Sequence, residues 1–523
     1  MSKFSTKLSD RLIVTSNQMQ AIESLMFEAG MPVAALMEQV AGLITQRIKE
    51  LYPYSGFSKI GILAGSGHNG GDALVVAREL WHQGRDVKVY LPLANLNKPL
   101  TAQHYQYIQS LGIPQVELAE LETCDLIIDG LFGFGLERAI AGTLADTINK
   151  INTWNLPILS IDLPSGLHTD TGKVMGTAIK ATHTLCLGLW KRGLFIEEAL
   201  AYIGNLERID FNIPEKFIKE VITEPALRSH DLWRIEPRSA LSQLLKQRPI
   251  ATHKYQMGHL LLIGGSQQYG GSIILAALGA RASGVGMLSI AVPETLRDLV
   301  LAKVPEALVI GCPETSTGAI ANLANLDLDR KYTAIACGVG ISLDARSLVE
   351  AVLGTSQNLI LDADALSLLG QIGIEKIHGR SPLSTILTPH WGEFCRLFPE
   401  DSNQELDRLQ ALQNAALKTN TVILLKGART AISFSNKKIT ETWINPESTP
   451  SLARGGSGDV LTGMMAGLLA QGLSPHNSAI AATVWHSQTG IWLAKYQTEM
   501  GVNPVALAEN LLVYLGSQVE VSK

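Results

Sequence analysis

Strand-like apolar runs alternate with helix-like segments along most of this chain, and that alternation constrains the fold more than any other feature. In the first half, short runs rich in branched apolar residues predict strands at 59–65, 86–93, 125–133, 157–166 and 183–189. Amphipathic patterns that predict helices lie between them, for example at 72–83 and 144–152. Because parallel strands need a crossover, usually a helix, the pattern predicts an α/β fold with parallel sheets covered by helices.

A second series of the same kind follows a weaker, proline-containing stretch at 215–257. Its predicted strands are 258–266, 287–293, 333–340, 358–366, 385–393 and 422–427, and a helical tail runs from Gly456. A chain of 523 residues is too long for one ordinary core. We therefore predict two α/β domains, residues 1–225 and residues 235–523.

Composition excludes several classes of protein. With 46% hydrophobic and 17% charged residues, the chain has enough apolar surface to fold, which excludes a disordered protein. The net charge of −5 gives no basic surplus for nucleic acid or anionic membranes. Five scattered cysteines without a CxxC pair exclude a disulfide framework and a zinc site, and no apolar leader opens the sequence. We expect a cytoplasmic homo-oligomer that acts on small molecules, with no nucleic-acid or membrane partner.

The loop at 64–72, AGSGHNGGD, follows a predicted strand, opens a predicted helix and satisfies GxGxxG. Glycines at such a loop allow a tight turn and let backbone N–H groups point at a phosphate. An ordinary dinucleotide fingerprint also needs an acid at the end of the next strand, and 90–93, YLPL, has none. The loop therefore predicts phosphate binding without ordinary NAD binding; a ligand-free turn is the alternative.

Polar residues stand at the ends of three predicted strands in this half. Because ligands of open parallel sheets bind at the carboxyl ends of the strands, Asn69, Asp129 and Ser165 are expected on one rim as hard oxygen ligands for a cation. Asp162 and Lys191 at the same rim predict an acid/base pair. The alternative is ordinary: Asp and Ser often serve as caps or turn residues, and a single Lys is usually solvated.

In the second half, the segment 455–459, GGSGD, directly precedes a helical pattern. A glycine run there forms a nest of amides for an anion, and Asp459 is suited to accept a proton from a hydroxyl that attacks a phosphate. A simple N-cap is the alternative for Asp459. The loop 426–430, KGART, is typical of a nucleotide site, and Asp362, Asp364 and His390 also stand at strand ends. The absence of GxxxxGK[ST] excludes a P-loop enzyme.

The motifs GSGHNGGDAL, DGLFGFGL, IDLPSGL and the later KRGL together resemble the NAD(P)H-hydrate epimerase domain, a Rossmann-like three-layer sandwich, over about residues 10–220. The resemblance implies that Asp162 and Lys191 are the acid/base residues and that K+ is held by Asn69, Asp129 and Ser165. His68 stands where the family more often has Asn. Contacts with the hydrated nucleotide are implied at His68, Asn69, Gly70, Gly71, Asp72, Gly133, Phe134, Gly135, Leu136, Glu137, Arg138, Ala139 and Asp162.

The second half resembles the ribokinase-like superfamily, also three-layer sandwiches. Within it, HKYQMGHLLLIGGS, DADAL, TPHWGEFCRL, KGART and GGSGDVLTG are similar to NAD(P)H-hydrate dehydratases, over roughly residues 235–515. Ser272 stands where that family usually has Ala. The resemblance implies a catalytic Asp459 and contacts with the hydrated nicotinamide at Ser272, Gly340, His390 and Asp459. It implies adenine-nucleotide contacts at Lys426, Gly427, Ala428, Arg429, Thr430 and Gly458.

Both resemblances imply one activity, the repair of NADH or NADPH hydrated at nicotinamide C6. The first domain would epimerise the R and S hydrates, and the second would dehydrate the S hydrate at the expense of ADP or ATP, with Mg²⁺ accompanying the nucleotide. Two alternatives remain at this point. The second domain would suit a ribokinase-like kinase of a small alcohol or vitamin, because the fold does not determine the substrate. The first would then be a non-catalytic nucleotide-binding module.

Overall fold

The computed structural model describes residues 7–93, 96, 98–224, 231–242, 244, 248–323, 326–402, 407–435 and 440–520. The chain divides into two compact units, Ser5–Leu232 and Trp233–Lys523. Residue 225, the predicted end of the first domain, lies outside the described residues, so the exact limits of the domains stay a prediction. None of the described helices is long and apolar enough to span a membrane.

The unit Ser5–Leu232 is built on a six-stranded parallel sheet. The strands of the unit, six of which form this sheet, are β1 (Leu12–Val14), β2 (Lys59–Ala64), β3 (Asp86–Tyr90), β4 (Leu126–Gly130), β5 (Ile158–Ile161), β6 (His183–Leu187), β7 (Trp190–Lys191) and β8 (Asn205–Ile209). The sheet has the order β3-β2-β4-β5-β6-β8, and β1 pairs with β7. The helices are α1 (Leu8–Arg11), α2 (Ser16–Glu28), α3 (Val33–Leu51), α4 (His68–His82), α5 (Pro99–Ser110), α6 (Leu118–Leu121), α7 (Gly142–Ile151), α8 (Leu200–Ile203) and α9 (Glu215–Thr223).

Helices cover both faces of this sheet. Gly130 of β4 faces Ala73 of α4, whereas Ile127 of the same strand packs in a cluster with Ile148 and Ile151 of α7. Residues 127 and 130 point to opposite faces because side chains alternate along a strand. The arrangement is a three-layer sandwich, and the predicted α/β class is confirmed for this unit.

The unit Trp233–Lys523 contains a second, mostly parallel sheet. Its strands are β9 (Asp231–Arg234), β10 (His259–Ile263), β11 (Met287–Pro293), β12 (Leu308–Cys312), β13 (Ala334–Cys337), β14 (Asn358–Leu361), β15 (Thr385–Leu387), β16 (Val422–Leu425), β17 (Ala431–Ser435) and β18 (Thr440–Ile444). Within this unit the strand order is β12-β11-β10-β13-β14-β15-β16-β17-β18-β9.

The α-helices of this unit are α10 (Pro237–Ser242), α11 (Gly270–Ala282), α12 (Arg297–Lys303), α13 (Arg346–Leu353), α14 (Asp364–Ile372), α15 (Trp391–Leu397), α16 (Arg408–Thr419), α17 (Ser457–Ala470), α18 (Pro475–Gly501) and α19 (Pro504–Glu520). The helices α11, α17, α18 and α19 share one apolar core with strands β10 and β13. Most of α17 is buried, which agrees with its nearly uninterrupted apolar sequence.

The structure differs from the sequence prediction in two respects. The pairs β16–β17 and β17–β18 are antiparallel, so this sheet is mixed at one side. Several strands also end earlier than their apolar runs; the run 358–366, for instance, leaves the sheet after Leu361 and α14 begins at Asp364. The apolar run continues past the strand because Ala365 and Leu366 of α14 are also buried. An apolar run therefore indicates burial and does not show where a strand ends.

Candidate active sites

A cavity of about 500 Å³ opens at the carboxyl ends of β2, β4 and β5 in the first unit. Loops after these strands supply one wall, and α2 and α3 supply another. Ligands of parallel α/β sheets bind in this position. Among the predicted residues, those that line the cavity are His68, Asn69, Asp72, Gly133, Phe134, Gly135, Leu136, Asp162 and Lys191.

The glycine-rich loop packs directly on the loop that follows β4. A Cβ atom at Gly65 would overlap the carbonyl oxygen of Leu131, and a Cβ atom at Gly70 would overlap the carbonyl oxygen of Gly65. Gly67 is the N-cap of α4, which begins at His68. These glycines therefore allow a close approach of backbones that places the first turn of α4 beside the cavity.

Asp162 and Lys191 form a buried ion pair at this cavity. The Lys191 Nζ lies 2.6 Å from the Asp162 Oδ1, and both side chains are almost fully buried. Asp162 has a left-handed backbone with φ 69°, and its Oδ1 accepts a hydrogen bond from the Leu187 N–H at 3.2 Å. Lys191 also donates to the Leu187 carbonyl oxygen. Burial is the largest single influence and opposes the charge of Lys191. The charge and hydrogen bond of Asp162, together with Cys186 and Glu23, outweigh burial, and the pKa of Lys191 is raised.

Asp129 and Ser165 contact each other near the carboxyl ends of β4 and β5. The Ser165 Oγ donates to the Asp129 Oδ1 at 2.6 Å, and the Ser165 N–H and the Ser160 Oγ donate to the Asp129 Oδ2 at 2.9 and 2.7 Å. Burial of the carboxylate raises the pKa of Asp129 in spite of these hydrogen bonds. The buried Asn69 side chain donates to the Ile161 carbonyl oxygen at 3.3 Å.

These three predicted ligands thus lie on the strand-end side of the unit, as the sequence indicated. Their donors are hard oxygens, and a buried carboxylate of raised pKa is a position where a cation would offset the cost of burial. The set therefore fits K+. In the described part of the chain, no cluster of three or more His, Cys, Asp or Glu is arranged for a metal ion.

Five predicted contact residues do not line the cavity. Gly70 and Gly71 are buried in the first turn of α4. Glu137, Arg138 and Ala139 are exposed in the loop after β4, whereas Gly133 to Leu136 of the same loop line the cavity. A motif read as one continuous contact segment therefore divides into a lining half and an exposed half.

One carboxyl group of the cavity escaped the sequence analysis. Glu23 of α2 lines the cavity, and burial raises its pKa to about 7; the charge of Lys191 opposes that rise, and the charge of Asp162 adds to it. Burial together with Asp162 and Glu23 also raises the pKa of Asp72. Glu23 occupies an ordinary position on an amphipathic helix, so no motif marks it.

In the second unit, the predicted phosphate loop forms the start of α17. Gly456 is the N-cap residue with φ 92°, and α17 begins at Ser457. The His486 Nε2 lies 3.0 Å from the Ser457 carbonyl oxygen and 3.2 Å from the Ser457 Oγ. Burial lowers the pKa of His486 to about 4, so the ring is neutral near pH 7. This histidine, which sequence reasoning missed, holds the first turn of α17 in place.

Asp459 stands in the first turn of α17, where helix amide groups favour a negative charge. Burial, followed by the charge of Asp362, raises the pKa of Asp459 to about 6, and a hydrogen bond from Ser272 opposes that rise. A Cβ atom at Gly340 would lie 3.2 Å from the Ser272 Cβ, so Gly340 is adjacent to Ser272. The structure therefore brings together Asp459, Ser272 and Gly340 from three separate segments.

A buried ion pair lies beside Asp459. The Lys426 Nζ is 2.7 Å from the Asp362 Oδ1, and the Thr462 Oγ1 donates to the Asp362 Oδ2 at 2.6 Å. Burial would raise the pKa of Asp362, but Lys426 and the hydroxyl donors outweigh it and lower that pKa. A Cβ atom at Gly458 would lie 3.8 Å from the Lys426 Nζ, so Lys426 reaches the start of α17.

The rest of the predicted nucleotide loop follows β16. The Lys426 N–H donates to the Pro389 carbonyl oxygen at 2.8 Å, which joins this loop to His390. His390 caps α15 through its Nδ1, and its side chain is 56% exposed. Burial of Arg429, followed by the charge of Arg234, lowers the pKa of Arg429 to about 10.

Comparisons with known proteins agree with this geometry. Residues 260–512 match the family described as NAD(P)H-hydrate dehydratase, and residues 33–193 match the family described as YjeF-related protein N-terminus. The chain is 51% identical over 509 residues to the bifunctional NAD(P)H-hydrate repair enzyme Nnr of Thermosynechococcus vestitus, with 96% of each chain covered. It is 49% identical over 511 residues to the enzyme of the same name from Synechocystis, with 96% of this chain and 94% of the relative covered.

Among solved structures, an ADP/ATP-dependent NAD(P)H-hydrate dehydratase from Bacillus subtilis, co-crystallised with ATP/Mg²⁺, aligns at 30% identity. The alignment covers 54% of this chain and 97% of that chain with a TM-score of 0.45. The full-length relatives carry the family assignment, because their identity extends over nearly all of both chains. This chain belongs to the family of bifunctional NAD(P)H-hydrate repair enzymes.

Proposed function

We propose that the chain repairs hydrated NADH and NADPH in two reactions. The first unit interconverts the R and S hydrates at nicotinamide C6. The second dehydrates the S hydrate at the expense of ADP or ATP and releases AMP or ADP together with phosphate. The observation that carries the proposal is the presence, in one chain of this family, of two separate acid/base sites, Asp162 with Lys191 and Asp459 with Lys426.

In the first unit, Asp162 and Lys191 hold and move protons at the C6 hydroxyl. Their ion pair lines the cavity near Glu23 and Asp72, two carboxyl groups whose pKa values are raised. The cavity volume falls in the range of small-molecule sites. We propose that the nucleotide lies along the loop residues 68–72 and 133–136, with its phosphates toward the start of α4, where helix amides favour an anion.

The oxygens of Asn69, Asp129 and Ser165 would hold K+ in this unit. Bound there, the ion would supply positive charge that offsets the buried carboxylate of Asp129. Asp129 keeps the loop residue Ser165 in place through two hydrogen bonds, of 2.9 and 2.6 Å.

In the second unit, Asp459 accepts the proton of the C6 hydroxyl of the S hydrate. The freed oxygen attacks the terminal phosphorus of ADP or ATP, and AMP or ADP leaves. Phosphate then leaves C6 with the help of the ring nitrogen, a proton is lost from C5, and the dihydronicotinamide is restored. A base with a pKa of about 6 is largely ionised at neutral pH, as this role requires.

The remaining predicted residues position the two substrates. Lys426, beside Gly458, offsets the negative charge of the transferring phosphoryl group, and Mg²⁺ accompanies the nucleotide. Gly427, Ala428, Arg429 and Thr430 would contact the adenine nucleotide. Ser272, Gly340 and His390 would contact the hydrated nicotinamide, because Ser272 and Gly340 adjoin Asp459.

Two variants test this division of labour. Asp459→Ala should abolish ADP- or ATP-dependent recovery of reduced-nicotinamide absorbance from the S hydrate and leave R-to-S conversion intact. Asp162→Ala should do the reverse. Recovery of NADH by Asp459→Ala, or normal R-to-S conversion by Asp162→Ala, would refute the respective assignment. A stable phosphorylated product in place of free phosphate would identify a small-alcohol kinase instead.

We also propose that the protein works in the cytoplasm as a homo-oligomer, with domains at residues 1–225 and 235–523. The scattered cysteines support a reducing compartment, and four of the five are buried. Exposed apolar side chains on α19, including Leu512 and Val513, support self-association. Sedimentation of the purified chain would reveal the oligomeric state.

A further inference from the structure

The helical wall of the first-unit cavity carries one ionisable side chain among apolar ones. Residues of α2 and α3 that line it are Phe27, Val33, Leu36, Met37 and Val40, together with Glu23. The other wall, made by the strand ends, carries Asp162 and Lys191. A carboxyl group set in an apolar wall is costly to bury, so its presence at the cavity calls for a chemical reason.

Epimerisation at C6 supplies such a reason when the oxygen departs and returns. A proton is delivered to the C6 hydroxyl, the C–O bond breaks with its electron pair, and the nitrogen lone pair forms an N1=C6 double bond. Water then adds to the other face of C6, loses one proton to a base, and the π electrons return to N1. Atoms and charge balance, and the reaction needs one proton donor and one proton acceptor, which reach C6 from different sides.

We propose that Glu23 is a catalytic residue of the epimerisation. Glu23 transfers the proton on the side of the nicotinamide ring that faces α2, and Asp162 with Lys191 transfers the proton on the strand-end side. This inference rests on the proposed epimerase activity. In one direction Glu23 protonates the departing hydroxyl, and in the other it accepts a proton from the attacking water. The two groups exchange roles when the reaction reverses.

The groups around Glu23 allow its carboxyl group to gain and lose a proton. Lys191 and Asp162 act on it in opposite directions, and burial is the largest influence on its pKa of about 7. Asp72 feels the charge of Glu23 and has a raised pKa as well. The other ionisable groups of the described cavity are His68 and Lys98. A carboxyl group in these surroundings exchanges protons near neutral pH.

Glu23→Gln tests the proposal, because the amide keeps the shape of the side chain and removes its proton chemistry. We expect R-to-S conversion, followed by chromatography from the pure R hydrate, to fall by at least about 100-fold. Incorporation of ¹⁸O from labelled water into the C6 hydroxyl should fall in parallel. Equilibrium binding of the R hydrate and ADP-dependent dehydration of the S hydrate by the same preparation should stay close to wild type, which shows that the chain is folded.

Glu28→Gln is the matched control, since Glu28 ends the same helix and is exposed. It should leave both reactions unchanged, and Glu23→Asp should recover part of the lost rate. The wild-type epimerisation profile should contain a limb near pH 7 that Glu23→Gln lacks. The inference would be overturned by full epimerase activity of Glu23→Gln or by epimerisation without ¹⁸O incorporation. It would also be overturned if the pH-7 limb were lost only in Asp72→Asn. A wild-type chain without epimerisation would instead refute the proposed function itself.

Discussion

Asp162 combines a backbone conformation that few residues adopt with a charge that is buried against Lys191. Its φ of 69° turns the chain sharply after β5, and the turn directs the carboxylate toward Lys191 and the Leu187 N–H. Left-handed backbone costs free energy for residues other than Gly, Asn and Asp, so Asp is among the few types that suit both demands. Strain of this kind clusters at functional sites.

Replacing Asp162 with Asn should remove the negative charge and keep the backbone conformation, because Asn also adopts the left-handed region. The variant leaves Lys191 buried without its counter-charge, and we expect a loss of about 3 kcal/mol in the free energy of unfolding. Urea denaturation of the full chain measures it. Adding Lys191→Met to Asp162→Asn should recover most of the loss, because the unpaired charge is then gone. Equal stability of Asp162→Asn and wild type would contradict a buried pair.

Asp459 faces a different environment, in which burial and Asp362 both favour its protonated form. A base must be ionised, so the dehydration rate at saturating ADP should rise with pH through about 6 and level off above it. Reduced-nicotinamide absorbance follows the rate. Ser272→Ala should move this limb to higher pH, because the Ser272 hydroxyl stabilises the carboxylate. A limb that stays at the same pH in Ser272→Ala would show that another group controls the rate.

At the scale of elements, the position of Asp459 depends on how closely α17 packs against α11. Gly279 of α11 and Gly463 of α17 stand at this contact: a Cβ atom at Gly463 would overlap the Ala276 carbonyl oxygen, and one at Gly279 would overlap the Val460 carbonyl oxygen. The distance between the two helices is set at this contact. Because both positions lack a side chain, the backbone of α17, with the phosphate loop at its start, packs directly against the backbone of α11.

Gly463→Ala should therefore push α17 away from α11. We expect lower stability in thermal unfolding and a reduced rate of dehydration, while epimerisation stays normal. Gly516→Ala is the matched control, since Gly516 lies on α19 with open space around it. Alanine there should be neutral or stabilise the helix by up to about 1 kcal/mol. If both variants behaved alike, helix propensity and not close packing would explain the result.

At the scale of the molecule, each compact unit contains its own parallel strands and one of the two proposed acid/base sites. The carboxyl ends of parallel strands form the first site, and the start of a buried helix forms the second. Each site thus draws its residues from one unit. The product of the first proposed reaction is the substrate of the second, and the two proposed sites have no residue in common.

Mixing the two single-site variants tests that independence. Asp162→Asn and Asp459→Asn, each alone, should fail to convert the R hydrate into NADH faster than spontaneous epimerisation allows. An equimolar mixture with ADP should restore conversion, because the S hydrate diffuses from one chain to the other. Absorbance at the reduced-nicotinamide band measures it. A mixture that stays inactive, while each variant keeps its remaining reaction, would show that the intermediate must stay within one chain.

The sequence by itself determined the α/β class, the family, and the strand-end positions of Asp129, Asp162 and Asp362. These features follow from local rules: apolar periodicity marks strands and helices, and the carboxyl ends of parallel strands meet on one side of a sheet. The short glycine motifs are equally local, because each one describes a single loop. The roles of the predicted site residues stay predictions.

Only the tertiary structure decided which side chains share a site and how strongly they are buried. Glu23 reaches the cavity from a helix without any motif, Lys426 meets Asp362, and His486 supports the start of α17. The pKa of a carboxyl group depends on burial and on charges from distant segments, and these arise only when separate elements pack together. For that reason the sequence patterns located the strand ends, whereas the pKa values of the side chains near them depend on the tertiary structure.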